Sequence, residues 1–174
     1  RVVVVQLRQA QVPLFVTRGA TINQFGTNFC LTLAGYSFAG TQKMQLRNKI
    51  KRARQAGLRV EELGPEGPRD LAIFQELSNI SQHWLAAKGK PELDFMIGEI
   101  GSPNDTLRRI FLVRDATEQP VGFITYVPVW GERPGYLHDL TRRLPTAPVG
   151  AMELCNAYAL ERMRSEGVAY LHFG

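Results

Sequence analysis

Residues 41–57 carry six basic side chains and no acidic one. Within this segment Leu46, Ile50 and Ala53 recur at helical spacing, and Gly57 follows at the position of a helix stop. The sequence therefore predicts a helix that docks through a thin apolar stripe and leaves a wide cationic face. The basic residues are Lys43, Arg47, Lys49, Lys51, Arg52 and Arg54.

Two interpretations of this cationic face stay open. Basic residues near a helix C-terminus interact favourably with the helix dipole, and many charged faces are simply solvated. A helix whose charges serve only solubility usually mixes both signs to form i,i+4 pairs, which this segment cannot do. The one-sided charge indicates a polyanionic partner, either a nucleic acid or an anionic membrane surface.

The basic character belongs to the first third of the chain. Residues 1–63 hold ten basic and two acidic side chains, whereas residues 64–174 hold eleven and fourteen. The sign changes at residues 64–68, a glycine- and proline-rich stretch typical of a linker. We therefore expect a domain boundary here, with residues 1–65 closing a first domain and residues 66–174 forming a second. Because the chain starts without methionine and stops after a strand-like run, we interpret it as a fragment whose second domain is truncated.

Hydrophobic patterning predicts an α/β fold. The predicted strands are residues 2–7, 21–25, 28–33, 58–63, 95–100, 110–114, 121–127, 136–140 and 168–173, and the predicted helices are residues 9–18, 41–57, 69–87 and 149–166. The strands at 21–25 and 28–33 are expected to form a hairpin, and Pro13 to interrupt the first helix. From residue 69 the main order is helix, three antiparallel strands, helix, strand. This is the order of the GNAT-like fold of acetyl-CoA-dependent N-acetyltransferases.

The residue types exclude several kinds of chemistry. No Cys/His pair has metal-ligand spacing, so no metal site is expected. The chain has no nucleophile elbow, phosphate-binding glycine loop or GxGxxG. Cys30 and Cys155 lie in apolar settings and are interpreted as buried free thiols of a reducing compartment. No apolar run has the ~20 residues of a membrane span.

The turn before the last helix indicates whether the chain can bind acetyl-CoA. An acetyl-CoA enzyme carries successive backbone N–H groups here for a pyrophosphate. Residues 142–150 read RRLPTAPVG, and their two prolines have no N–H to donate. Acetyl-CoA binding is therefore not expected, and the sequence predicts no cofactor.

Acidic and basic residues cluster around this same turn. Asp139 ends a predicted strand, Arg142 and Arg143 follow it, and Glu153 falls in the first turn of the next helix. They could form a structural ion pair together with an acidic residue favoured by the helix dipole. Alternatively, a carboxylate orients or deprotonates an acceptor beside an arginine that binds phosphate.

Five stretches in order along the chain resemble the C-terminal synthase part of bacterial phosphatidylglycerol lysyltransferases, the aminoacyl-phosphatidylglycerol synthases. The matching residues are Leu46, Arg47, Asn48, Lys49, Arg52, Ala53 and Gly57; Ile80, Ser81, Trp84 and Leu85; Phe95, Ile97 and Gly98; Asp139, Leu140, Arg142, Ala147, Pro148, Gly150 and Met152; and Phe173 with Gly174. The chain departs from the family pattern at Thr141, Arg143, Val149 and Glu153, and Glu99 stands where an arginine is expected.

The resemblance implies two GNAT-like domains in tandem, the first incomplete in this chain, joined by the basic helix. It implies transfer of an amino acid from aminoacyl-tRNA to a phosphatidylglycerol headgroup or a related small hydroxyl or amine acceptor. The site would be cytoplasmic or on the cytoplasmic face of the bacterial membrane, with membrane contact through an upstream region.

The resemblance and the residue chemistry together give each candidate a role. The catalytic candidates are Asp139, Arg142 and Glu153; the candidates for tRNA or phosphate binding are Lys43, Arg47, Lys49, Arg52 and Arg143; and the other pocket candidates are Glu99 and His138. Two alternatives stay open: an acyl-CoA-dependent N-acyltransferase and a non-catalytic module that binds RNA or an anionic membrane.

Overall fold

The computed structural model describes residues 3–5, 7–24, 26–64, 71–89, 100–102 and 105–173. Its strands are β1 (Phe29–Thr32), β2 (Arg59–Leu63), β3 (Arg109–Arg114), β4 (Pro120–Val129), β5 (Gly135–Arg143) and β6 (Tyr170–Phe173). Its α-helices are α1 (Val12–Val16), α2 (Met44–Gln55), α3 (Leu71–Lys88) and α4 (Ala151–Ser165), and short 3₁₀ turns at Gln9–Gln11 and Thr41–Lys43 precede α1 and α2.

The six strands form one sheet in the order β1-β6-β5-β4-β3-β2. Neighbouring strands are antiparallel except β5 and β6, which are parallel, with Gly135 opposite Tyr170 and His138 opposite Phe173. Helix α4 is the crossover that this parallel pair requires. The α/β assignment with antiparallel central strands is confirmed.

Each face of the sheet carries its own hydrophobic core. On one face α2 and α4 pack over Phe111, Ile124 and Tyr126. On the other, α3 packs over Leu112, Phe123 and Leu140. Alternate residues of β3 and β4 therefore enter opposite cores, as the two-residue period of a strand requires. None of the helices in the described ranges is both long and apolar enough to cross a lipid bilayer.

The predicted helix over residues 41–57 is confirmed as α2. Ile50 and Ala53 are buried, and Leu46 is partly buried beside them. Gly57 follows in a left-handed conformation with φ +78°. The thin apolar stripe read from the sequence is thus the surface by which α2 docks.

Three local predictions near the N-terminus were wrong. The described residues of segment 2–7 form no strand, and Val3 is 78% exposed, because this β-branched run has no partner in the sheet. Residues 21–24 are not extended into a hairpin either; β1 pairs with β6, far along the chain. Pro13 lies in the first turn of α1, where a missing N–H costs nothing, and does not interrupt the helix.

The sheet contains strands from both sides of the boundary expected at residue 65. β1 pairs with β6, and β2 pairs with β3. Residues 29–63 therefore share a sheet with residues 109–173. The linker residues 65–68 and most of the strand predicted at 95–100 lie outside the described residues. An arrangement of two domains in tandem stays a prediction.

Helices α2 and α4 meet at Gly150, the residue before α4. Gly150 has φ +93°, and a Cβ atom added there would lie 2.2 Å from the carbonyl oxygen of Lys49. Only glycine combines this left-handed backbone with so close an approach. Gly150 is therefore the residue at which the basic helix α2 packs directly against the start of α4.

Replacing Gly150 by alanine is expected to destabilise the protein. The left-handed backbone alone costs about 1–2 kcal/mol for an L-residue, and displacing the Lys49 carbonyl adds to that cost. Gly167→Ala is the matched control, because Gly167 has φ +79° but nothing within 4 Å of an added Cβ. Thermal unfolding should give a clearly lower Tm for Gly150→Ala than for Gly167→Ala. Equal values would mean that the close packing of the two helices contributes nothing.

Candidate functional site

Strand β5 changes register in the middle of its pairing with β4. Ile124 lies opposite Thr141, whereas Tyr126 lies opposite His138. Two residues of β5, Asp139 and Leu140, therefore face Thr125 alone, which is the arrangement of a β-bulge. The bulge separates the side chains of β5 into two polar clusters, one on each face of the sheet.

Asp139 belongs to the cluster on the α3 face. Its carboxylate forms a close ion pair with the Arg108 guanidinium and accepts a hydrogen bond from the Thr125 hydroxyl at 3.3 Å. Arg108 Nε lies 3.1 Å from Asp105 Oδ2. The Asp139 and Arg108 side chains are only 15% and 12% exposed. Asp139 is therefore a fixed, largely desolvated carboxylate held by an arginine that the sequence did not single out.

Arg142 lies on the same face and is 6% exposed. Its guanidinium carbon is 4.1 Å from the ring centroid of Trp84 on α3, and Nη1 donates to the carbonyl oxygen of Thr141 at 3.2 Å. Trp84, one of the residues that resemble the family, therefore has a structural role, because the face of its indole ring stabilises a buried cation. The ion pair described for Asp139 is with Arg108, so the expected structural Asp139–Arg142 pair is replaced by a larger cluster.

Glu153 lies on the opposite, α4 face. Its Oε1 is 2.7 Å from Lys49 Nζ of α2. Burial opposes ionisation, but the hydrogen bond from Lys49, its own backbone N–H and the charges of Lys49 and Arg143 prevail and hold the pKa of Glu153 below its usual range. These residues border a surface cleft of about 440 Å³. The cleft is lined by Lys49, Arg143, Ala147, Pro148, Val149, Gly150, Ala151, Met152, Glu153 and Asn156.

Removing the Lys49 ammonium should raise the pKa of Glu153. In Lys49→Met the hydrogen bond and the charge are removed while burial remains, so the carboxyl should titrate at higher pH. Because the folded pKa is depressed, the stabilisation from this pair is present above the unfolded pKa and lost as the pH falls through the folded pKa. NMR titration of the Glu153 carboxyl measures the shift. Lys51→Met, on the same helix, should leave it unchanged; a fixed Glu153 pKa in Lys49→Met would contradict the pairing.

The six basic residues of α2 and its entry turn divide into two groups. Lys43 donates to the Ser37 carbonyl and lies over the Tyr36 ring, and Arg47 donates to the carbonyls of Phe38 and Gly40, both at 2.7 Å. With Lys49, these three are engaged by the protein. The side chains of the other three are exposed and form no hydrogen bond or ion pair with the described part of the chain. They are Lys51, Arg52 and Arg54.

His138 is half-buried on the α4 face, next to the bulge. Its Nε2 lies 3.1 Å from Thr141 Oγ1, and its ring packs 5.3 Å from that of Tyr126 and 5.6 Å from that of Phe173. Burial lowers the pKa of His138 below its ordinary value, against smaller opposing effects of its own backbone and of Asp139. The other predicted pocket residue, Glu99, lies outside the described residues.

The structure does not bring Asp139, Arg142 and Glu153 to one rim. The first two face α3, and Glu153 faces the cleft between α2 and α4 with Arg143 and Lys49. Asp139 and Arg142 belong to β5, whereas Glu153 belongs to the first turn of α4 on the other face of the sheet. No group of three or more His, Cys, Asp or Glu side chains among the described residues is placed to hold a metal ion.

Comparison with known proteins identifies the family. Residues 1–174 match the family described as "Phosphatidylglycerol lysyltransferase, C-terminal". The chain belongs to this family. Among curated proteins it is 26% identical over 151 residues to the lysylphosphatidylglycerol biosynthesis bifunctional protein LysX of Mycobacterium marinum, covering 87% of this chain and 13% of that protein. The chain thus spans only a small part of that relative.

Solved structures of known relatives share the fold. L-PGS from Bacillus licheniformis aligns with a TM-score of 0.82 at 21% identity, over 95% of this chain and 50% of that one. A GCN5-related glucosamine N-acetyltransferase region of a fungal β-N-acetylglucosaminidase aligns with a TM-score of 0.50 over 68% of this chain and 14% of that one, also at 21% identity. The GNAT-like assignment is therefore confirmed.

Proposed function

We propose that this member of the phosphatidylglycerol lysyltransferase family transfers an aminoacyl group from aminoacyl-tRNA to the hydroxyl of a phosphatidylglycerol headgroup. The observation that carries the proposal is the family match over residues 1–174, joined to a buried Asp139–Arg108 cluster and a cationic cleft along one strand. An aminoacyl ester is already activated, so the reaction needs no ATP. The protein has to position the two reactants, move one proton and stabilise an oxyanion.

In this proposal the reacting groups lie along residues 139–143 of β5, which the described part of the sheet pairs with β4 but not with β6, so side chains of both faces can reach them. Asp139 orients the acceptor or the aminoacyl amine, since its ion pair with Arg108 and its hydrogen bond from Thr125 hold the carboxylate in a fixed direction. The Arg142 side chain is almost wholly buried against the Trp84 ring, so we assign it no direct contact with the reactants. Its positive charge acts on them through the surrounding protein. We assign direct phosphate contact to Arg143 and Lys49, which line the open cleft, with Glu153 as the carboxylate that orients Lys49.

The exposed basic face of α2 is assigned to the tRNA. Lys51, Arg52 and Arg54 are on the solvent side of the helix, and α2 ends beside the cleft at Gly150. A group of exposed cations of this kind can bind the phosphates of RNA. Lys43 and Arg47 hold the loop that enters α2, so their contribution to binding is through the position of the helix. The same face would suit an anionic lipid surface, which is the role left to it if RNA does not bind.

Asp139→Asn is expected to lower the transfer rate by roughly 10²-fold or more, since it keeps the size of the side chain but removes the charge that Arg108 holds in place. Single-turnover transfer from aminoacyl-tRNA to phosphatidylglycerol in mixed vesicles measures this rate. Asp115→Asn is the matched control, because Asp115 accepts hydrogen bonds in the exposed β3–β4 turn and asparagine suits such a turn. An unchanged rate in Asp139→Asn, or a loss explained by unfolding, would make Asp139 purely structural.

Reversing two free charges of α2, in the double variant Lys51→Glu and Arg52→Glu, should weaken tRNA binding and flatten its salt dependence. The slope of log K against log salt concentration should fall by about one for each RNA phosphate that the variant no longer neutralises. A double reversal of Arg18 and Arg59 changes the net charge equally and is the control. If both variants bind tRNA like the parent, α2 does not contact RNA.

The same transfer assay distinguishes the proposed aminoacyl-tRNA-dependent activity from the alternative, an acyl-CoA-dependent N-acyltransferase. The cleft at the start of α4 is lined by Pro148 and closed at Gly150 by the Lys49 carbonyl. These features leave few free N–H groups for a pyrophosphate. Acetyl-CoA should therefore neither donate an acyl group nor compete with aminoacyl-tRNA, and micromolar inhibition by acetyl-CoA would favour the alternative.

A further inference from the structure

A polar track runs along the α4-facing side of β5. It begins at His138, continues through Thr141, whose Oγ1 is 3.1 Å from His138 Nε2, and ends at Arg143. Thr141 and Arg143 are two residues apart in a strand, so their side chains leave on the same face. Arg143 lines the cleft with Lys49 and Glu153. On this face of β5, Thr141 therefore lies between a half-buried imidazole and an arginine that lines the cationic cleft.

The β-bulge is what creates this track. In a regular strand, residues 138 and 141 would point to opposite faces because their separation is odd. The extra residue at Asp139–Leu140 opposite Thr125 returns Thr141 to the face of His138. Asp139 directly follows His138 in the strand and therefore lies on the other face, toward Arg108. This stretch of β5 thus presents a carboxylate on one side and an imidazole–hydroxyl pair on the other.

The surroundings of His138 keep the imidazole neutral. From β4 it meets the Tyr126 ring, whose phenol donates to Asn156 Oδ1 of α4 at 2.8 Å and has a pKa raised well above its usual range by burial. From β6 it meets the Phe173 ring. The Cys155 thiol of α4, which interacts with Tyr126, is also held protonated by burial, which raises its pKa. The charged group nearest in sequence is Asp139, which is paired with Arg108.

We propose that His138 and Thr141 form the proton relay of the transfer reaction, an inference that rests on the proposed aminoacyl transfer. As the acceptor oxygen attacks the ester carbonyl, its proton passes to Thr141 Oγ1 while the hydroxyl proton of Thr141 passes to the lone pair of His138 Nε2. The tetrahedral intermediate then collapses by breaking the bond from its carbon to the ribose oxygen of the tRNA. That oxygen leaves with the proton returned by the imidazolium through Thr141, so the relay ends in its starting state.

The relay gives Asp139 and His138 different tasks. Asp139 is held by its ion pair with Arg108 and the hydrogen bond from Thr125, which fix the direction of its carboxylate. A neutral imidazole has a free lone pair at physiological pH and is the usual general base. Asp139 then positions the reactants from the α3 face while His138 acts through Thr141 from the α4 face. His138 is a positioning and relay residue, and Thr141 is the group that touches the acceptor.

The test compares His138→Gln, Thr141→Val and Thr141→Ser with the parent protein in single-turnover transfer at saturating tRNA, across a range of pH. His172→Gln is the matched control, since His172 Nε2 lies 3.0 Å from the exposed Arg133 carbonyl, and not next to Thr141. His138→Gln and Thr141→Val should lose about 10²-fold or more in rate with little change in KM. Thr141→Ser, which keeps the hydroxyl, should retain most of the rate. The parent rate should fall as the pH drops through the pKa of His138, below its ordinary value of 6.5; this acid limb should disappear in His138→Gln.

Three outcomes would overturn the relay. They are an unchanged rate in His138→Gln, an acid limb that persists in it, or equal rates for Thr141→Val and Thr141→Ser. The valine–serine comparison decides the matter even if His138→Gln does not fold, because valine matches threonine in shape. If the parent protein itself transfers no aminoacyl group, the proposed function fails and not the relay alone.

Discussion

The bulge in β5 is the constraint on which the polar organisation of this protein depends. β5 pairs antiparallel with β4 on both sides of the bulge and parallel with β6 over residues 135–138, so its register against β4 fixes the face on which each side chain lies. The extra residue opposite Thr125 places Thr141 on the face of His138, while Asp139 lies on the other face with Arg108. A register without it would move part of this polar set into a hydrophobic core, at the cost of desolvating charged groups.

The second constraint is the close contact of α2 with the start of α4. Gly150 lets the Lys49 carbonyl approach so closely that the two helices act as one wall of the cleft. The contact brings Lys49 to Glu153 and leaves Lys51, Arg52 and Arg54 facing solvent. The charge of α2 is therefore divided by packing: some cations support the fold and the cleft, and the rest remain free for a polyanion.

Much of the fold followed from local patterns in the sequence. The helical spacing of Ile50 and Ala53 and the stop at Gly57 predicted α2, and the helix and strand order after residue 69 predicted the GNAT-like sheet. The predictions that depended on pairing between distant parts of the chain were wrong. The apolar run at residues 2–7 resembled a strand but has no partner among the described strands, and β1 found its partner in β6 by non-local pairing that no turn signal reveals.

The candidate site was predicted residue by residue but not in its arrangement. Asp139, Arg142 and Glu153 were recognised from their types and positions, yet a sequence does not show on which face a strand with a bulge presents each residue. Arg108 escaped notice because its contact with Asp139 joins positions 31 residues apart. His138 was noted only as a pocket residue, since its link to Thr141 exists only when the bulge places both on one face.

The most direct test follows the amino acid itself. Purified protein is mixed with tRNA charged with a radiolabelled amino acid and with vesicles containing phosphatidylglycerol. The lipid and aqueous fractions are then separated, and the label in each is measured. The account predicts label in an aminoacylated phosphatidylglycerol, none when that lipid is replaced by a zwitterionic one, and none from the free amino acid with uncharged tRNA. Label that stays on the tRNA under all conditions, or that enters lipid from acyl-CoA instead, would contradict it.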